Sequence, residues 1–129
     1  MFEYTKVLTS FSVDDVPKAK KFYSETLGLK VTDQSGALLL HLSGGNDTLI
    51  YPKPDHIPAS YTLLNFVVAD IDRAVDQLIA GGVRFLRYDE FGADDKGIVR
   101  GPDREIAWFS DPAGNIHSVA QFKTPLPVS

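Results

Sequence analysis

The chain contains the same local pattern twice. Phe11, Val13, Asp15, Val16, Lys18 and Ala19 are answered by Phe66, Val68, Asp70, Ile71, Arg73 and Ala74, each at an offset of 55 positions. Further on, Gly28, Leu29, Lys30 and Val31 are answered by Gly82, Val83, Arg84 and Phe85, now at 54. In 129 residues, two copies of a strand–helix–strand unit predict a duplicated fold. Duplicated folds place ligands where the copies face each other, so a cleft between them is expected to bind.

Each copy can be read from local rules. Residues 6–13 alternate apolar and polar side chains at the period of a strand. Asp14 or Asp15 is placed to cap a following helix, with Pro17 in its first turn and Gly28 at its end. Strands are expected at 30–32, 37–42 and 48–51, separated by turns at Ser35 and Gly36 and at 44–47. Residues 52–58 hold three prolines, Pro52, Pro54 and Pro58, and form the linker between modules at 1–56 and 57–129. The second module then offers a strand at 61–68, a helix at 70–80, and strands at 84–88, 105–109 and 115–122. Residues 89–104 are polar and too long for a hairpin turn, the length of a binding loop or lid. Asp111, Pro112, Ala113, Gly114 and Asn115 have the chemistry of a tight turn. The expected class is α+β, two βαβββ modules building a curved mixed sheet with helices on one face.

Composition removes several functions. There is no cysteine, so disulfides, thiolate nucleophiles and Cys-ligated metals are excluded. A net charge of −4 without basic clusters argues against nucleic acid. No apolar run approaches the length of a membrane span. The first residues lack the basic and apolar blocks of a secretory signal, so a cytoplasmic protein is expected.

Three stretches together resemble a known family: Phe11 to Asp15 running on to Phe22, Tyr23, Leu27 and Gly28; Val67 to Asp72; and Phe109, Asp111, Pro112, Gly114 and Asn115. The chain is similar to the vicinal oxygen chelate superfamily, which includes glyoxalases, bleomycin-resistance proteins and extradiol dioxygenases. The resemblance implies two βαβββ modules, a U-shaped cleft and usually a homodimer, but no single reaction. Metalloenzymes of this family hold a divalent ion with His, Glu or Gln. The matching positions here are Leu8, Thr48 (or Ile50 on a shifted alignment), Leu63 and Ser118. Divalent ions need anionic oxygen or imidazole donors, which these residues do not supply. No metal and no other cofactor is expected.

Strand alternation nominates the cleft lining instead. Ser10 and Ser12 share a face with Leu8, Asn65 with Leu63 and Val67, and Ser118 with Ile116 and Ala120. His41 belongs to the more polar set of its strand, while His117 is expected on the opposite face from Ser118, toward the helix. His56 reads as a solvated linker residue. Tyr51 and Trp108 are expected at the rim, where an aromatic face can hold a planar ligand. The acidic residues Asp89, Glu90, Asp94 and Asp95 read first as a solvated loop and second as selection for a cationic ligand. Ligand contacts are therefore expected from Ser10, Ser12, His41, Tyr51, Asn65, Trp108 and Ser118, with no catalytic residue assigned.

Three functions stand as alternatives. One is a metal-independent protein that binds a small organic molecule. Another is a lyase, isomerase or dioxygenase-type enzyme with a non-standard site built from His41, Asn65 and the aromatics. The third is a non-catalytic interaction domain.

Overall fold

The computed structural model describes residues 1–124 and 126. The fold is α+β, with its strands in two separate mixed sheets. The chain divides into two compact units, Met1–Ile57 and Pro58–Ser129. Among the described residues no helix is long and apolar enough to cross a membrane.

The first unit runs β1 (Thr9–Val13), α1 (Val16–Lys21), β2 (Lys30–Gln34), β3 (Ala37–His41) and β4 (Asp47–Pro52). Its sheet has the order β1-β4-β3-β2, with β1 parallel to β4 and the other pairs antiparallel. Asp15 is the helix cap: its backbone is extended and its carboxylate accepts the Lys18 amide at 3.0 Å. Where sequence rules predict one continuous helix, α1 ends at Lys21 and a π-helical turn covers Phe22–Thr26. The Ser24 hydroxyl donates to the Lys20 carbonyl at 2.5 Å, a bond that competes with the helical ladder there. The widened turn leaves Tyr23 fully buried against Phe11, ring centroids 6.0 Å apart. Phe11, Val13, Leu38, Leu40 and Ile50 form the buried face of the sheet beneath the helix.

The second unit repeats this plan with β5 (Thr62–Val67), α2 (Ile71–Ala80), β6 (Phe85–Leu86), β7 (Val99–Arg100), β8 (Arg104–Ser110) and β9 (Ile116–Phe122). Its sheet order, β5-β9-β8-β6, matches that of the first. Asp70 caps α2 as Asp15 caps α1, accepting the Arg73 amide at 3.1 Å. Ile71 and Val75 are fully buried.

The departures lie between β6 and β8. The strand expected over 84–88 is only Phe85–Leu86. The expected loop carries a 3-10 turn, Asp89–Phe91, and the extra strand β7, antiparallel to β8. A tight turn at Gly101, whose amide donates to the Arg104 carbonyl at 2.9 Å, folds β7 back onto β8.

The turn joining β8 to β9 is closed by one side chain. The Asp111 carboxylate accepts the Ala113 amide at 2.9 Å, the Asn115 amide at 2.8 Å and the Asn115 side-chain amide at 3.0 Å. Gly114 stands at φ +85°, in the left-handed region that favours glycine. Beyond it His117 is fully buried between Phe66 and Phe109. Its Nδ1 accepts the Leu64 amide at 3.3 Å, so the neutral ring carries its hydrogen on Nε2.

Burial pushes the His117 imidazole down to about 4, against a small opposing pull from Asp111. The unfolded chain therefore binds a proton near pH 6.5 that the folded chain refuses until about pH 4. Stability is complete above that window and falls as the pH drops through it, by about 2 kcal/mol at pH 5. Urea unfolding at pH 7 and pH 5, with His117 followed by NMR, checks this. A His117 ring that titrates near pH 6.5 in the folded state would refute it.

Candidate functional site

In the first unit, alternation sorts β1, β3 and β4 into two faces. Leu38, Leu40, Thr48 and Ile50 are buried on the helix side. Thr48 shares a hydrogen bond with Thr9, Oγ1 to Oγ1 at 2.7 Å. The position nominated on this strand for a metal ligand thus lies away from Ser10 and Ser12, because their register partners are Leu49 and Tyr51. Ser12 and His56 are joined, Oγ to Nδ1, at 2.6 Å. The linker histidine is therefore half-buried and held to β1 rather than simply solvated. His41 stands near the other end of the same face. Its Nε2 lies 3.0 Å from Thr32 Oγ1, and its Nδ1 lies 3.4 Å from Asp47, which also pairs with Lys6. Four positions on β4 separate Asp47 from Tyr51, about 13 Å at strand rise, so His41 and the Ser12–His56 pair do not meet.

In the second unit, Trp108 and Ser118 are cross-strand partners, as are Asn65 and Ser118. Ser118 is fully buried and donates to Asn65 Oδ1 at 2.7 Å. With no exposed surface of its own, Ser118 holds the Asn65 side chain in orientation. Alternation along β5 is broken by a bulge between Thr62 and Leu64. Thr62 pairs with Ile116 and Asn65 with Ser118, three positions against two, so one residue is extra. As a result Thr62, which face counting assigns elsewhere, reaches the Trp108 indole and accepts its Nε1–H at 3.1 Å.

Trp108 forms the centre of the site. Its ring meets Tyr88 edge-on at 5.1 Å and Phe91 at 6.2 Å. On one side a cavity of about 490 Å³ is bounded by Phe91, Val99, Pro102, Arg104, Ile106 and Trp108, with Asp103 beside Arg104. On the other, a cavity of about 210 Å³ opens between Tyr61, Thr62, Tyr88 and Ile116, sharing Phe91 and Trp108 as a wall. The larger volume suits a small organic molecule. Because Thr62 satisfies the indole N–H, Trp108 offers a guest its apolar ring rather than a hydrogen bond. Of the nominated residues only Trp108 borders either cavity. Phe91, Val99 and Arg104 escaped sequence reasoning because they belong to the loop and the strands it joins. Two aromatics, Tyr88 and Phe91, flanking an acidic run were the one available signal.

Two of the four acidic residues of the loop, Asp89 and Asp94, are engaged by the protein itself. Asp89 pairs with Arg87 at 3.0 Å. Asp94 accepts the Lys96 and Ile98 amides at 2.9 Å each and pairs with Arg100 at 3.2 Å. A cationic guest gains little from charges so engaged.

The donor set does not fit a metal. Thr48 and Ser118 are buried in hydrogen bonds of their own, and Leu8 and Leu63 carry no donor atom. Among the described residues no three His, Asp or Glu side chains come together in a way that could hold an ion.

Comparison with known proteins agrees with the architecture. No curated protein matches the chain in sequence. Among solved structures, TnmS3, an antibiotic-binding protein from Streptomyces sp. CB03234, is 27% identical with a TM-score of 0.68, covering 95% of this chain and 100% of its own. Lactoylglutathione lyase from Agrobacterium tumefaciens is 18% identical at TM-score 0.66, covering 92% and 94%. A glyoxalase/bleomycin resistance protein/dioxygenase from Alicyclobacillus acidocaldarius is 15% identical at TM-score 0.69, covering 92% and 91%. The last two likenesses speak for the fold alone. Residues 7–117 match the Glyoxalase/Bleomycin resistance protein/Dioxygenase superfamily, and with its two βαβββ units in the same strand order the chain belongs to that vicinal oxygen chelate superfamily.

Proposed function

We propose that this protein binds a small, largely apolar organic molecule in the cavity beside Trp108, without a metal. The observation that carries this reading is the cavity itself, about 490 Å³ with Trp108, Phe91, Val99 and Ile106 as walls. Charge enters only at Asp103 and Arg104, enough to orient one polar group of a guest. The antibiotic-binding activity of TnmS3, 27% identical over 95% of this chain, supports the same class of ligand. Leucines at two of the family's ligand positions support metal independence. Family resemblance adds the proposal of a homodimer, and each sheet has an edge strand, β1 or β5, whose free side could take part.

An enzymatic reading has one observation in its favour. The Ser12–His56 hydrogen bond at 2.6 Å joins a hydroxyl to an imidazole that can serve as a base. Turnover that is lost in His56→Ala but kept in Trp108→Ala would favour that reading over simple binding.

Thermal-shift screening against an antibiotic and aromatic-metabolite panel tests the main proposal. A ligand present at a hundred times its Kd raises Tm by about 10 °C. Trp108→Ala lowers affinity for such a hit by at least about tenfold, while Tyr51→Ala leaves it within about twofold. Equal losses from both would place the ligand elsewhere. Dialysis against EDTA leaves binding unchanged, whereas a tightly held ion near one per chain would overturn the metal-independent reading. Sedimentation at twice the chain mass checks the homodimer.

A further inference from the structure

The loop that walls the cavity is tied down on its far side. Strand alternation sends Val99 to the cavity and its neighbour Arg100 to the opposite face, toward α2. There the guanidinium spans both oxygens of Asp72, at 2.8 and 3.4 Å. It also pairs with Asp94 at 3.2 Å and with Glu105 on the neighbouring strand. Lys96 adds links to Asp76 at 2.9 Å and to Asp72 at 3.7 Å. Asp72 and Asp76 are four apart on α2 and so lie on one side of the helix. The Arg100 guanidinium holds the Asp72 carboxyl below the usual carboxylate range.

By contrast, the loop has little apolar anchorage. Ile98 is its one fully buried large side chain, and Phe91 is 59% exposed. Gly97, at φ +89°, passes so close to β6 that an added Cβ would lie 2.8 Å from the Leu86 carbonyl oxygen. Asp94 closes the 94–98 turn within the loop, and the bonds that leave it toward α2 are ionic.

Resting on the ligand reading of the same cavity, we propose that Arg100 is a positioning residue. Its bridge from β7 to Asp72 of α2 holds the wall of the binding cavity closed, and the wall loosens when that ionic bridge is screened or cut. Partly exposed pairs are individually weak and respond to salt. A hub that joins three carboxylates is the arrangement in which such pairs add up.

The chain supplies its own reporter, because Trp108 is its single tryptophan and touches Phe91 across the cavity wall. Acrylamide serves as a neutral probe of access to the indole, and amide exchange is read over residues 94–100. In Arg100→Gln, quenching rises about twofold and exchange of these amides about fivefold, while far-UV circular dichroism is unchanged. In the parent protein 1 M NaCl moves both readouts toward the variant, and in the variant, where only the Lys96 pairs still tie the loop to α2, the same salt has a clearly smaller effect. Arg100→Lys, which keeps the charge but not the fork, falls between the two. Asp72→Asn repeats the effect and stands in if Arg100→Gln does not fold. Equal quenching in parent and variants, or the same salt response in both, overturns the proposal. These readouts need no ligand. A loosened wall in a protein that binds nothing from the panel would sink the binding reading alone, and a salt-insensitive wall with a bound ligand would sink this one.

Discussion

Much of the second unit depends on the carboxylate of Asp111. It takes both turn amides and the Asn115 side chain, and so fixes where β9 begins relative to β8. That register decides which side chains meet. With Phe109 opposite His117 and Trp108 opposite Ser118, one face of the hairpin becomes core and the other becomes the floor of a cavity. A slip of one residue would exchange the two sets, exposing an aromatic cluster and burying an indole with no acceptor. The buried histidine belongs to the same logic. Its Nδ1 receives the Leu64 amide, tying β5 to the register that Asp111 sets.

Duplication supplies the frame, and divergence supplies the site. Asp15 and Asp70 cap equivalent helices with nearly equal backbone angles, and the two sheets share one strand order. The units diverge after the helix. The first returns through the simple hairpin β2–β3. The second inserts the 3-10 turn and β7, which bring Phe91 and Val99 over Trp108. The ionic cluster of Arg100, Lys96 and the α2 aspartates has no counterpart among the first unit's ion pairs, where Lys20 and Asp33 make a single exposed link to the helix. A cavity walled by a weakly packed loop thus coincides with the place where the loop is most heavily charged.

At the positions that the resemblance matches to the family's metal ligands the chemistry is simple. Leucines stand at two of them, and the hydroxyls at the others already bond to neighbouring side chains. The cavity beside Trp108 presents an indole whose polar atom is already satisfied by Thr62, together with Phe91, Val99, Pro102 and Ile106. Under the proposed binding role, such a surface selects a guest by shape and apolar area more than by charge.

The amino-acid sequence alone determined the features that rest on short-range chemistry. The capping aspartates, Pro17 in the first turn, the 111–115 turn and the alternation that sends Phe11 and Val13 inward all act within a few residues. Family resemblance came from those same stretches. Tertiary structure decided the features that depend on pairing between distant segments. The bulge at Thr62 exists only against β9, and it delivers a hydroxyl to Trp108 from 46 positions away. Thr48 faces the helix because its register partner is Thr9, and His56 meets Ser12 only once the linker has folded back on β1. Ser118 is fully buried because burial is set by neighbouring strands, which period-two counting does not include. The role of Arg100 was equally hidden, since an arginine in a polar loop has no meaning until α2 places Asp72 within 2.8 Å of it.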